Sequence, residues 1–246
     1  MQHFQGKRTV ITGAASGIGA ELLRLLAAAG ADCVAVDQNR AGLETLQKSV
    51  PQPIHIIQTD LSVPEQRTEL MRQLGPVDIF FANAGFAGYG PFTQTSVEQI
   101  QALTQVNWLA PVEALHYLVQ HNPKPFQFVV TASAMSFAGI PHYALYSGLK
   151  SALHSFADTY RFENPKNVKL SVVYPVATRT AFFERKSDGQ KVPWPSQTPR
   201  QVARAIVKGV ACGRRGIYPS RTFFVMNGFY FIHRALFWPY RWYYRG

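Results

Sequence analysis

Cysteine is nearly absent: the 246 residues hold two, Cys33 and Cys212. Their separation fits neither a metal-ligand pair nor a redox pair, which excludes a disulfide framework and points to a reducing compartment. Cys33 lies in an apolar run and reads as a small buried hydrophobe. No uninterrupted apolar stretch reaches the ~18 residues that a membrane-spanning helix needs. The start, residues 1–7, carries no apolar segment of signal-peptide length, so the expected location is the cytoplasm. No grouping of histidine, cysteine and acid has metal-ligand spacing, and no metal is expected. Acidic side chains are also few, 14 against 25 lysines and arginines, giving a net charge of +11. None follows Asp188, so the charge is concentrated in a basic C-terminal part. Such a part suits nucleic acid, an anionic membrane or simply a solvated face.

What is present is a hydrophobic share of 47%, enough to bury a sizeable core, and at this length a single α/β domain is expected. The organising stretch is Tyr146-Ser147-Gly148-Leu149-Lys150, with Ser133 thirteen residues before the tyrosine. On a helix, Tyr146 and Lys150 at i and i+4 share one face. A phenol ionises near pH ~10 and is a poor base at neutrality. A fixed ammonium alongside favours the phenolate. Bringing the phenol to ~7 takes roughly 4 kcal/mol, much of which a lysine and an oxidised nicotinamide could supply together. Tyr146 would then exchange a proton with a substrate oxygen held by the Ser133 hydroxyl. A tyrosine four residues before a lysine also arises by chance in many helices, so the pair takes its meaning from the rest of the chain.

Arg8-Thr9-Val10-Ile11-Thr12 is a β-branched run and reads as a strand. It leads directly into Gly13-Ala14-Ala15-Ser16-Gly17-Ile18-Gly19 and then into a helical apolar pattern through Leu22, Leu23 and Leu26. Strand, glycine turn and helix form the context for a dinucleotide pyrophosphate, which the backbone approaches at the positive helix end. The spacing is Gly-x3-Gly-x-Gly rather than the commoner Gly-x-Gly-x-x-Gly. A second strand, Asp32 to Asp37, ends in an acid 24 residues after Gly13. That spacing suits a carboxylate on the adenosine ribose hydroxyls, and its charge favours NAD over NADP. Arg40, close behind, leaves that preference less than strict. Residues 54–58 form a third apolar run, followed by Asp60 and Leu61. Asp60 either meets the adenine edge or caps the helix that starts near Pro64.

Residues 77–82 read as a fourth strand, opening into a small-residue loop, Asn83-Ala84-Gly85, that would pass under the cofactor. A long helix is expected over about 96–121, with Asn107 inside it, where local hydrogen bonds are the ordinary use of an asparagine. Residues 126–131 and 168–174 read as further strands, followed by Ser133 and Pro175. Apolar strands alternating with helices argue for a parallel sheet covered on both faces. Ligands of such sheets sit at the carboxyl ends of the strands, where Asp37, Asp60, Asn83, Ser133 and Pro175 all fall.

Together these pieces resemble the short-chain dehydrogenase/reductase superfamily over nearly all of residues 7–220. The carriers are Thr12-Gly13-x3-Gly17-Ile18-Gly19, the Asn83-Ala84-Gly85 loop, and Asn107, Ser133, Tyr146 and Lys150 in the family's order and spacing. The resemblance implies a Rossmann-like, doubly wound sheet of about seven parallel strands. It implies that Tyr146 is the acid–base residue. Lys150 would lower its pKa and bind the nicotinamide ribose, Ser133 would position the carbonyl or alcohol, and Asn107 would hold a water in a proton relay. The cofactor site would take in Ser16 and Ile18 with the glycines, Leu61 beside Asp60, and the segment holding Pro175, Val176, Thr178 and Thr180. Thr180 matches the threonine that contacts the nicotinamide carboxamide. A homodimer or homotetramer is implied as well. Two positions depart from the pattern, Ala82 where the family usually has asparagine and Val176 where it usually has glycine.

Around the substrate we expect Phe86, Tyr89, Met135, His142, Phe182, Phe183 and Trp194, with Phe92 and Phe137 the residues best explained as core. These are mostly apolar and none is an arginine that would clamp a carboxylate, which predicts a hydrophobic alcohol or ketone. The irregular, proline-containing segment 181–198 is expected to act as a substrate lid. The domain is expected to end near residue 220, leaving 221–246 as an aromatic, arginine-rich tail. That tail suits a membrane interface, which would bring the protein to the inner face of a membrane, and equally an oligomer interface or pocket cover. Base stacking lacks the support of a nucleic-acid fold. The leading reading is thus an NAD-dependent alcohol dehydrogenase or carbonyl reductase. Its competitors are a redox-inert dinucleotide sensor or scaffold on the same fold, and a membrane-binding module carried by the tail.

Overall fold

Both faces of every long strand are apolar, and this decides the architecture. In the computed structural model, which describes residues 2–163, 167–179 and 196–228, the strands are β1 (Arg8–Thr12), β2 (Asp32–Asp37), β3 (His55–Gln58), β4 (Ile79–Ala82), β5 (Phe126–Thr131), β6 (Val168–Val173) and a short β9 (Gly216–Ile217). They form one sheet in the order β3-β2-β1-β4-β5-β6-β9, every pairing parallel. Parallel neighbours need crossovers, and the helices supply them. Val10, Val34, Phe80 and Phe128 point to one face, and the adjacent residues Ile11, Ala35, Phe81 and Val129 to the other, as the period of two requires.

The first face is covered by α1 (Gly17–Ala28), α2 (Arg40–Lys48) and α7 (Pro199–Ala211), through Leu22, Leu26, Leu43, Val202, Ile206 and Val210. The second is covered by α3 (Pro64–Gln73), α5 (Ala110–His121) and α6 (Ala144–Glu163), through Leu70, Leu115, Leu118, Leu153 and Ala157. The strand order reverses between β1 and β4, and a crevice forms there at the carboxyl edge, the topological place for a dinucleotide. The doubly wound α/β fold expected from the sequence is therefore present.

Three details differ from the sequence reading. The single helix expected over 96–121 is two α-helices, α4 (Val97–Thr104) and α5, joined by one π-helical turn, Gln105–Leu109. β9 is only two residues long and pairs through Val172↔Gly216 and Val173↔Ile217, too short to leave an apolar run in the sequence. A second, two-stranded sheet joins β7 (Ala177–Thr178) to β8 (Ser196–Gln197). Only residues 196–198 of the expected lid are described. Beyond residue 220 the described chain consists of α8 (Arg221–Met226) and two further residues, and residues 229–246 of the tail lie outside it. Among the described residues no helix is long and apolar enough to cross a membrane.

Candidate active site

β1 delivers the chain to the crevice at Thr12. The turn that follows needs glycine in two ways. Gly13 (φ 68°) and Gly17 (φ 56°) are left-handed, which a side chain disfavours. At Gly19 a Cβ would lie 2.0 Å from the Gly13 carbonyl oxygen and 2.9 Å from Asn83 Nδ2. Thr12 Oγ1 accepts from the Asn83 and Ala84 amides at 3.0 and 3.1 Å. Asn83 Nδ2 donates to the Thr12 carbonyl at 3.2 Å, and Thr131 Oγ1 donates to Asn83 Oδ1 at 3.4 Å. Asn83 thus ties together the ends of β1, β4 and β5. Ala82, in place of the more usual asparagine, is buried and leaves this tie intact.

At the start of α1, Ser16 is extended and makes no side-chain cap, so its hydroxyl does not occupy the first helical amides, which with the positive dipole end suit a pyrophosphate. Ile18 is partly buried against the first core. The Asp37 carboxylate is fixed at the end of β2 by the Ala15 amide (3.0 Å) and the Asn39 amide (2.9 Å). Asp60 accepts from the Ser62 amide and hydroxyl at 2.8 and 2.7 Å. It therefore shapes the turn ahead of α3 and is not its cap, a position held by Val63. Leu61 lines a cavity of about 220 Å³ together with Thr12, Ala82, Ala84 and Val106, which continues between α3 and α5 past Met71 and Phe80. It lies at the Leu61 end of the crevice, away from Tyr146. Across its rim the Arg67 guanidinium grips Glu113 at 2.7 and 3.1 Å and the Leu61 carbonyl at 2.8 Å. A cradle of glycine backbone, an exposed helix start and a fixed carboxylate fit a dinucleotide.

At the other end of the crevice, α6 buries Tyr146 and Lys150 on one face. Lys150 Nζ stands 5.6 Å from the centre of the Tyr146 ring and donates to the Thr131 carbonyl at 2.9 Å. Burial pushes the ammonium down from 10.5 to about 7. Burial likewise raises the Tyr146 phenol well above its ordinary value, opposed by its hydrogen bond with Ser133 and reinforced by the neighbouring Tyr143. In the protein by itself burial is the largest influence on the phenol, and it acts against the lowering expected of Lys150 together with an oxidised nicotinamide. Ser133 also accepts from the Met135 amide at 3.1 Å, in a short 3-10 turn that docks on α6 through Ser136 Oγ and the Lys150 carbonyl (2.7 Å).

Asn107 sits in the π turn, 1% exposed. Its Nδ2 donates to the Phe86 and Leu103 carbonyls at 2.9 and 3.1 Å, and its Oδ1 is buried without a protein partner. A Cβ on Gly85 would meet that Oδ1 at 2.7 Å and Lys150 Nζ at 3.4 Å, so only glycine keeps this space open. The Pro175 carbonyl accepts from the Ala134 amide at 2.8 Å, and Thr178 Oγ1 donates to the Val176 carbonyl at 3.0 Å. Among the described residues His142 alone has a positive φ outside glycine, so Val176 occupies its loop without left-handed backbone.

Over Tyr146 the walls are aromatic. Tyr143 is buried and its ring lies 6.4 Å from that of Tyr146 and 5.2 Å from that of Tyr89. Tyr89 in turn meets His142 at 5.3 Å, and the Gly90 amide donates to the His142 carbonyl at 3.0 Å. Phe86 and Tyr89 are half-exposed at the mouth. Phe137 packs among His154, Tyr174 and Phe223 and is core, whereas Phe92 is exposed. Thr180, Phe182, Phe183 and Trp194 lie outside the described residues. No group of three metal-ligating side chains occurs among the described residues.

The short chain dehydrogenase family matches residues 7–191, and the chain belongs to it. It is accordingly an oxidoreductase of a dinucleotide-binding class that works on CH–OH groups. Bovine (Bos taurus) L-xylulose reductase is 28% identical over 191 residues, covering 76% of this chain and 78% of that one. The Arabidopsis thaliana 11-beta-hydroxysteroid dehydrogenase-like 4A protein is 25% identical, covering 87% and 76%. The fold is shared with a short-chain dehydrogenase from Sphingobium yanoikuyae solved with NADPH (TM-score 0.81, 24% identity, 94% of each chain). It is shared equally with an enzyme of this class from Burkholderia phymatum solved with NAD (TM-score 0.81, 20% identity, 92% and 93%).

Proposed function

We propose that the protein interconverts a hydrophobic secondary alcohol and its ketone with NAD(H), using Tyr146 as the acid–base group. The observation that carries this reading is the hydrogen bond between the Ser133 hydroxyl and the Tyr146 phenol, with Lys150 Nζ beside the ring. A dinucleotide bound in the crevice supplies or accepts the hydride. Ser133 holds the substrate oxygen, and Tyr146 gives that oxygen a proton in reduction and takes it in oxidation. Lys150 and the space beside Asn107 Oδ1 carry the proton onward to solvent. Burial holds the phenol toward its neutral form, and the positive charge of an oxidised nicotinamide, were one bound beside it, would favour its ionisation.

The preference for NAD rests on Asp37, fixed where a ribose 2′-phosphate would be repelled, and on Arg40, which is turned to Glu44 at 2.8 Å. The substrate class rests on the Tyr143, Tyr89 and Phe86 wall, since relatives carry names as different as a xylulose reductase and a hydroxysteroid dehydrogenase-like protein. Titration with NAD(H) and NADP(H), followed by turnover of hydrophobic and polyol panels beside Tyr146→Phe, tests the reading. NAD-linked turnover of the hydrophobic panel that falls by roughly 10²-fold or more in the Phe variant is expected. Tight NAD binding with no turnover would favour the sensor reading, and turnover of polyols alone would reject the substrate class. We also propose a homo-oligomeric state, and for the tail either a membrane-surface contact or an oligomer or pocket-covering interface, each compatible with exposed Phe224 and Val225 on α8. Sedimentation, and pelleting with anionic liposomes beside a chain truncated at Arg221, test these two.

A further inference from the structure

The helix that carries Asn107 changes character at one turn only. Ala110 donates its amide to the Gln105 carbonyl, five residues back instead of four, and α5 begins directly afterwards with Pro111 in its first turn. Proline has no amide and its ring clashes with the carbonyl four residues earlier in a regular helix, a penalty of about 3 kcal/mol, but it is tolerated in a first turn. The carbonyl four residues before Pro111 is that of Asn107. The wide turn therefore stands directly ahead of the proline, which has no amide to serve as the α-helical donor to the Asn107 carbonyl. The same residue has a buried, unpartnered Oδ1 beside Gly85 and Lys150 Nζ. π turns of this kind concentrate at functional positions.

We propose that Pro111 is a positioning residue: by withholding the amide that would pair the Asn107 carbonyl, it holds the helix in the wide turn that presents Asn107 to the space over Gly85. This rests on the reading of Asn107 as part of the proton path. Pro111 is buried in the first turn of α5, where it lines the cavity shared with Leu61, Ala84 and Val106.

The test is Pro111→Ala together with Pro111→Val, which restores an amide while keeping more of the ring's volume. In the dinucleotide-free protein, hydrogen exchange should show the new amide at position 111 protected, with a changed exchange rate at Asn107. In turnover, kcat should fall about tenfold, part of the roughly 10²–10⁴-fold that a positioned proton-transfer group contributes, with KM and the dinucleotide Kd unchanged. Adding Asn107→Ala should cause no further loss. A freely exchanging amide at 111, losses that add to those of Asn107→Ala, or a Val variant with native kcat beside a crippled Ala variant would each overturn the proposal. Because hydrogen exchange needs no turnover, a protected amide in a protein that proves inactive on every substrate would uphold the structural half of the inference, that Pro111 holds the wide turn, while rejecting the enzymatic reading on which the rest depends.

Discussion

Replacing Lys150 with methionine should make the dinucleotide-free protein more stable at neutral pH while removing its turnover. Lys150 is 3% exposed, and burial lowers its pKa from 10.5 to about 7. Between these two values the unfolded chain binds a proton that the folded chain does not, so stability rises with pH across that window. Below pH about 7 both states carry the charge and the folded state bears the whole penalty. At ~1.36 kcal/mol per unit the ceiling is about 5 kcal/mol. Methionine removes this penalty but leaves the Thr131 carbonyl, now bonded to Nζ at 2.9 Å, without its donor, which costs about 1–3 kcal/mol. The variant should therefore gain at most about 2–4 kcal/mol at pH 6, and the gain should shrink steadily toward pH 9.5 as the wild-type folded state, now neutral at Lys150, escapes most of the penalty while the unfolded chain still binds the proton. Urea unfolding of both proteins at pH 6, 7.5 and 9.5 measures the difference. A difference that is the same at all three values would refute the burial argument, as would a variant less stable at pH 6.

Two further outcomes follow from the glycine turn and from the gap between α3 and α5. Gly19→Ala places a Cβ 2.0 Å from the Gly13 carbonyl oxygen, so it should lower stability by about 1–3 kcal/mol and weaken NAD(H) binding by roughly two orders of magnitude, read by thermal unfolding and cofactor titration. Of the Arg67–Glu113 pair, the arginine side chain is 5% exposed and the glutamate 49%. Glu113→Ala strands a buried charge and should cost about 2 kcal/mol or more, whereas Arg67→Met leaves a carboxylate that water can reach and should cost less. Denaturant midpoints of the two variants, in that order, check the asymmetry.

Much of the site is carried by short-range pattern. The β-branched run to Thr12, the glycines after it and the acid at Asp37 announce a parallel-sheet crevice, because strand, turn and helix chemistry are local. Tyr146 and Lys150 share a face because four residues make about one helical turn. The sequence by itself therefore determined the doubly wound fold and the helix on which Tyr146 and Lys150 share a buried face. It did not show that Tyr143 packs between Tyr89 and Tyr146, since that depends on the 83–92 loop meeting the 137–143 loop. Nor did it show the break at Gln105–Leu109, because 96–121 keeps a helical apolar pattern through a turn that is wider by only one residue. Only the tertiary structure decided the ionisation of the pair. Helical spacing brings the ammonium to the phenol, but packing removes the water from both, and desolvation then pushes the tyrosine up and the lysine down.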